Sequence, residues 1–257
     1  MNTSISAPLF AGSLFLGMVL LLEVGRRLGS RRLQSESASG GFGAVEGAIF
    51  ALFGLLVAFT FSGAASRFDS RRALIADEAN AIGTAYLRLD LLAAGDQSDV
   101  REMFRGYLDA RLEVYRKLPD LEKAVAELNR SVELQQRIWT RSVSAIRSPE
   151  AHPNAPMLLL PALNEMFDIT TTRTMAARTH PPGVIYGLLF VLGLGCALLA
   201  GHAMAGVKTW SWLHAAGFAA FVSVVAFVIV DIEYPRMGLI RLAAFDQVLV
   251  ELRDSMQ

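Results

Sequence analysis

Residues 42–92 read FGAVEGAIFALFGLLVAFTFSGAASRFDSRRALIADEANAIGTAYLRLDLL. The first half is apolar enough to span a membrane, and the charged second half follows it without a proline. The glycines are isolated, and each costs a helix only about 1 kcal/mol. At 1.5 Å per residue such a helix would be roughly 75 Å long, whereas a bilayer needs roughly 30 Å. The stretch therefore predicts one helix that leaves the membrane and becomes the spine of a water-exposed helical domain.

Two faces of this helix stand out when each residue is set about 100° on from the last. Spacings of three and four place a continuous apolar stripe along both halves of the helix. A second face carries small residues, which let helices approach closely in lipid. The stripe consists of Phe50, Phe53, Val57, Phe61, Ala64, Phe68, Ile75, Ala79, Ile82, Tyr86 and Leu89, and the small face of Gly47, Gly54, Ala58, Ser62 and Ala65.

The whole chain has the composition of a membrane protein with a soluble part. It is 53% hydrophobic with a mean hydropathy of +0.39, yet 19% of its residues are charged. Four apolar runs predict transmembrane helices at about 5–24, 42–63, 184–206 and 213–232. The fold class is therefore predicted as all-α, with four transmembrane helices and a helical soluble domain inserted between spans two and three. The domains are residues 1–66, 67–183 and 184–257, the last ending in an amphipathic segment.

The middle of the chain carries most of the charge. Sixteen basic and sixteen acidic residues lie between Arg67 and Arg178. Apolar residues recur there at helical spacing, and Asp120 is placed to cap a helix that buries Leu121, Val125, Leu128 and Val132. No run alternates at period two, so no sheet is expected.

Several functional classes are disfavoured by composition. A neutral, mixed surface lacks the basic patch of a nucleic-acid-binding protein. The single Cys196 excludes disulfides, and the four histidines are scattered without the spacing of metal ligands. No catalytic glycine, serine or histidine motif occurs. We expect no enzyme, no catalytic residue, no metal and no cofactor.

Aromatic and polar residues on the long helix are candidates for function. Phe50, Phe53, Val57 and Phe61 would gate a pore by dewetting, or would serve ordinary helix packing. Glu46, inside the second span, is either functional or an interfacial partner of an arginine or His202. Further along the same helix, Glu78, Asn80 and Arg88 either form a buried polar network or belong to a solvated face. Asp231, which ends the fourth span, is expected to pair with an arginine.

Three stretches together resemble a known family. They are the junction FTFSGAASRFDSRRALIADEANAIGTAYLRLDLL, then LNEMFDITTTR with Asn164, Asp168 and Arg173, and the exit DIEYPRMGLI with Asp231, Pro235 and Gly238. In that order around four spans, they resemble the bacterial bestrophin-like membrane proteins, a family of unknown function. The second stretch extends the candidate polar network to Asn164, Asp168 and Arg173.

The resemblance implies an oligomeric membrane protein distantly similar to bestrophin anion channels, whose second helix lines a pore with aromatic residues. By that likeness Phe50, Phe53, Val57 and Phe61 would form the constriction. The expected partners are the lipid bilayer, further copies of the chain and small inorganic ions. The expected place is the bacterial inner membrane. A non-conducting sensor or scaffold, whose helical domain binds a protein or envelope partner, is the alternative.

The orientation in the membrane follows from charge. Arg26, Arg27, Arg31 and Arg32 follow the first span, whereas the nine N-terminal residues carry no basic side chain. The positive-inside rule then favours a cytoplasmic first loop and an extracytoplasmic helical domain. The arginines near the membrane on the domain side, Arg67 and Arg71 among them, favour the reverse.

The orientation predicts that Ser30 and Thr209 face the cytoplasm, and that Gln97 and Gln257 face the opposite side. In a Cys196→Ala background, a cysteine introduced at Gln97 should react with an impermeant thiol reagent in intact cells. Labelling that occurs only after lysis would reverse the orientation.

Overall fold

A computed structural model describes residues 6–33, 42–206, 212–236 and 238–256. Helices account for most of these residues, and no strand occurs among them, so the predicted all-α class is confirmed. In chain order the α-helices are α1 (Ala7–Leu33), α2 (Phe42–Leu87), α3 (Ala94–Arg116), α4 (Leu121–Ala145), α5 (Ala155–Arg178), α6 (Gly183–Ala203), α7 (Trp212–Glu233) and α8 (Gln247–Ser255).

Four helical stretches of the described chain are long and apolar enough to cross a membrane. They are Ala7–Arg31, Gly43–Leu91, Ala155–Ala203 and Trp212–Glu233, with mean hydropathies of 2.0, 2.1, 2.3 and 2.4. The third stretch includes both α5 and α6. These stretches are typical of a multi-pass membrane protein, as the sequence predicts.

The long helix predicted from residues 42–92 is a single element. Its α-helical part, α2, has 46 residues, and a short 3₁₀ turn continues it over Arg88–Leu91. The stripe residues Ile75, Ala79, Ile82, Tyr86 and Leu89 are buried. The apolar periodicity of the sequence therefore identified the packed face of this part of the helix.

The chain divides into two compact units. The first unit comprises Met1–Ser66 and His180–Tyr234, and the second Arg67–Thr179 and Pro235–Gln257. The division falls within α2. It assigns the segment after the fourth span to the second unit, with the middle helices.

In the first unit, α1 packs closely against α6 because glycines face backbone on the neighbouring helix. A Cβ added at Gly25 would overlap the Leu198 carbonyl oxygen, and one added at Gly201 would overlap the Leu22 carbonyl oxygen. The two backbones thus approach each other at two levels, once at a glycine of α1 and once at a glycine of α6. Such small-residue contacts are the usual basis of helix association in lipid.

The second unit is built around the later half of α2, with α3, α4, α5 and α8 contributing to one apolar core. Helix α4 begins at the predicted cap, where an Asp120 carboxylate oxygen accepts a hydrogen bond from the Lys123 amide at 3.2 Å. Its buried face differs from the predicted one. Leu121, Val125 and Val132 are exposed, whereas the core-facing residues are Ala124, Ser131, Leu134, Ile138, Ser142 and Ala145.

Three boundaries also differ from those predicted. Helix α1 extends to Leu33, so the arginines assigned to a loop lie on its last turns. The sequence predicts a helix from Pro161, but α5 starts at Ala155; Pro156 is tolerated in its first turn, where a missing amide hydrogen breaks no helical bond. The apolar spacing from Leu239 to Leu252 predicts one amphipathic helix, but the C-terminal helix starts only at Gln247 and Leu239 is exposed. The predicted turn at 207–212, including Thr209, lies outside the described residues except for Trp212.

Replacing Gly201 with alanine should lower the thermal stability of the protein in detergent. The added Cβ meets main-chain atoms that cannot rotate away, and overpacking of this kind costs about 1–3 kcal/mol. Gly187→Ala, on the same helix with no atom within 4 Å of the added Cβ, is the matched control. It should be neutral or slightly stabilising, since alanine favours helix. Equal melting temperatures for the two variants would contradict the close contact.

Candidate functional site

The four residues of the predicted constriction lie in different surroundings. Phe53 is only 7% exposed and packs beside Gly193 of α6, and the Phe50 ring lies 6.4 Å from that of Phe218 on α7. Val57 is partly buried, whereas Phe61 is 44% exposed. Within one chain, therefore, the first three contribute to helix packing. Their role in a pore stays a prediction.

The structure brings together two members of the predicted polar network. The carboxylate of Glu78 on α2 accepts a hydrogen bond from Arg173 on α5, and both side chains are buried. Arg88 donates instead to the Leu158 carbonyl oxygen at 2.6 Å. The other members lie elsewhere on the surface or in the first unit. Asn80, Asn164 and Asp168 are exposed, Glu46 is partly buried, and Asp231 is buried near the end of α7.

Glu78 is the centre of a larger charged cluster in the second unit. Its second carboxylate oxygen accepts from Arg111 Nε on α3 at 2.6 Å, and both side chains are fully buried. One carboxylate therefore joins α2, α3 and α5. Removing two such groups from water is costly, so their mutual pairing is what makes the burial tolerable.

A second carboxylate extends the cluster toward the surface. Asp246, just before α8, accepts from Arg173 Nη2 at 2.9 Å and from Arg236 Nη2 at 3.0 Å. Arg236 also donates to the other oxygen of Asp246, so this pair is bidentate. Asp246 and Arg236 are both partly exposed. Arg173 thus bridges a buried carboxylate and a surface one.

Tyr115 of α3 lies against all three arginines. The guanidinium carbons of Arg173, Arg236 and Arg111 lie 4.0, 4.4 and 5.5 Å from its ring centroid. These distances are within the range of cation–π attraction. Its hydroxyl oxygen also accepts a hydrogen bond from Arg111 Nη2 at 2.9 Å. The ring of Tyr115 therefore contacts all three guanidinium groups and stabilises their charges.

Tyr107, two turns earlier on α3, lies in a neutral hydrogen-bonded setting. Its hydroxyl is 2.6 Å from Thr170 Oγ1 and accepts from Gln135 Nε2 at 3.3 Å. Burial raises the pKa of Tyr107 to about 12, and burial also raises the pKa of Tyr115. Both phenols accordingly keep their protons at neutral pH.

Sequence reasoning missed Arg111, Tyr115, Arg236 and Asp246 as parts of a site. One signal was present for Arg111. It lies seven residues after Phe104 and four after Tyr107, in the middle of the apolar face of α3. A charged residue on such a face must find a buried partner, and that requirement predicts a polar cluster. Asp246 comes from a distant segment, and no local pattern connects it to the cluster.

A separate polar contact occurs in the first unit. His180 Nδ1 lies 3.0 Å from a carboxylate oxygen of Glu233, which is fully buried. The His180 ring also stacks on Tyr234, with ring centroids 4.6 Å apart. Among the residues that the structure describes, no group of three or more histidine, cysteine or acidic side chains is placed to hold a metal ion.

Apolar helices of this number and length, together with an all-helical fold, define a multi-pass helical membrane protein. Residues 9–243 match the bestrophin-like domain family, and the chain therefore belongs to that family. No curated protein and no solved structure matches the chain.

Replacing Glu78 with glutamine should lower the free energy of unfolding by about 3–5 kcal/mol, because two buried arginines lose their counter-charge while the side-chain volume is kept. Glu102→Gln is the control, since Glu102 pairs with Arg105 at the surface of the same unit. Exposed pairs contribute little to stability. Chemical denaturation in detergent measures the free energy of unfolding of both variants. Equal losses of stability would show that Glu78 contributes no more than a surface ion pair does.

Proposed function

We propose that the chain forms a homo-oligomeric, bestrophin-like ion channel whose pore is lined by α2. The observation that supports this most directly is how little of α2 its own chain covers. Only 11% of its most apolar window is buried, against 22%, 28% and 39% for the other three candidate spans. An apolar helix with so much free surface is suited to contact lipid, further copies of the chain or a central lumen.

One face of α2 is especially suited to that role. Gly47, Gly54 and Phe61 follow one another at seven-residue intervals and therefore share a face of the helix. All three are exposed within the single chain, and a Cβ added at either glycine would have no atom within 4 Å. Neighbouring copies would approach closely along the glycines, while Phe61 would supply aromatic bulk at one level.

The proposed constriction retains Phe50, Phe53, Val57 and Phe61, with Phe61 as the side chain free to face a lumen. Phe50, Phe53 and Val57 would hold the helix against α6 and α7 and so fix the direction of that face. Dewetting at an apolar ring is sufficient to hold back water and ions. No catalytic group is needed for such a function, and we propose none.

We further propose that the second unit lies outside the bilayer as a helical soluble domain, on the extracytoplasmic side of a bacterial inner membrane. Its surface pairs, such as Arg105 with Glu102 and Arg141 with Asp96, are suited to water rather than to lipid. A non-conducting sensor or scaffold would use the same domain to bind a partner. Ion flux separates the two functions.

Gly54→Leu should reduce the oligomer fraction measured on native gels or by light scattering in detergent. The new side chain meets nothing in its own chain, so a loss of assembly would arise from contact with another copy. Gly187→Leu on α6 is the control, because that glycine is equally open. Equal effects from the two variants would remove the reason for placing α2 at the interface.

Phe61→Ser should raise the basal ion flux of proteoliposomes, because a polar side chain lets water wet an apolar constriction. Phe59→Ser is the control: Phe59 is 67% exposed on the same helix, and two residues of helix place it about 160° away from Phe61. Flux is compared per assembled particle, since misfolded protein also leaks.

The buried member of the stripe should behave differently. Phe53→Ser removes packing from the interior of the first unit and should cost about 3–5 kcal/mol of stability rather than raise flux. If Phe61→Ser and Phe59→Ser give the same flux at matched assembly, the channel is contradicted and the scaffold is favoured.

A further inference from the structure

The arginine cluster of the second unit contains two hydrogen-bond donors with nothing to donate to. Arg111 Nη1 is buried and has no partner among the described residues. The Tyr115 hydroxyl oxygen accepts a hydrogen bond from Arg111 Nη2. Among the residues that the structure describes, the hydroxyl hydrogen itself has no acceptor. A fully buried donor left unsatisfied, as Arg111 Nη1 is, costs about 1–3 kcal/mol. The two groups are connected through one guanidinium, because the hydroxyl is bonded to Nη2 of the arginine that carries the unpaired Nη1.

The cluster also carries an unbalanced charge. Arg111, Arg173 and Arg236 supply three positive charges, whereas Glu78 and Asp246 supply two negative ones, which leaves a net charge of +1. The Tyr115 phenol stays protonated because burial raises its pKa, so it does not offset that charge. An unbalanced buried charge is strongly unfavourable unless a counter-ion accompanies it.

We propose that a small monovalent inorganic anion binds in the second unit, accepting hydrogen bonds from Arg111 Nη1 and from the Tyr115 hydroxyl. One such ion satisfies both free donors and neutralises the cluster. Arg111 is suited to anion binding because its planar guanidinium keeps Nε on the Glu78 carboxylate and Nη2 on the Tyr115 hydroxyl while Nη1 remains directed elsewhere. Arg236 and Asp246 form the partly exposed edge of the same cluster.

This site is distinct from the proposed pore, because its residues belong to the second unit and the α2 face of the pore to the first. It would make the stability of the second unit depend on the anion concentration around it. Anion binding at this site does not require that the chain conduct ions.

The test measures the melting temperature of the full-length protein in detergent as chloride or nitrate replaces gluconate at constant ionic strength. We expect a saturable rise with chloride and nitrate, since a ligand that binds only the folded state stabilises it. Arg236→Gln removes the surplus charge from the partly exposed edge of the cluster. It should weaken the apparent affinity for chloride by about tenfold or more.

Arg253→Gln is the matched control. Arg253 is also partly exposed, lies in the same unit, and pairs with Asp109 outside the cluster, so the variant changes the protein's total charge equally. It should keep the chloride dependence of the unchanged protein. The same dependence in both variants, or none in the unchanged protein, would overturn the proposal; in the latter case water satisfies the donors.

The position of the ion can be tested without any variant. Crystals of the unchanged protein grown in bromide should show an anomalous peak within hydrogen-bond distance of Arg111 Nη1 and the Tyr115 hydroxyl. An empty position would overturn the proposal even if Arg236→Gln fails to fold. A peak without any anion dependence in solution would mark an adventitious ion only, and would equally overturn it.

Discussion

The architecture of the second unit depends on one carboxylate. Glu78 lies on the packed side of α2, and it accepts hydrogen bonds from arginines of two further helices. Hydrophobic contacts alone tolerate sliding and rotation of helices, because they have no direction. Two charge-assisted hydrogen bonds to a single carboxylate have both direction and length. They fix how α3 and α5 lie against α2, and Asp246 then attaches the C-terminal segment through Arg173.

The position of one aromatic ring helps this interior accommodate its charges. Tyr115 offers a flat, polarisable surface on which guanidinium groups are stabilised without water. The arginines can therefore approach one another more closely than bare cations would. The second unit therefore contains a buried charged cluster as well as an apolar core that includes Ile82, Leu89 and Phe104.

Much of the fold could be predicted from the sequence, because hydropathy and period are local properties. The four apolar helices, the unbroken α2 and the cap at Asp120 follow from neighbouring residues alone. The packed face of α4 could not be predicted in the same way. Small or polar residues such as Ala124 and Ser131 lie on the buried face while Val125 is exposed, so hydropathy alone does not mark that face.

The candidate site was less predictable than the fold. Glu78 and Arg173 were identified separately, as a polar residue on an apolar helix and as part of a family-like motif, and the structure joins them. Asp246 and Arg236 come from a segment remote in sequence, and only the tertiary fold brings them to Tyr115.

For the α1–α6 contact, a different consequence follows from the genetic code. Every codon change that replaces Gly25 or Gly201 adds at least a Cβ or a larger group, so no single-nucleotide missense change preserves this contact. Either glycine can be replaced without a clash only if the backbone of the opposite helix moves away.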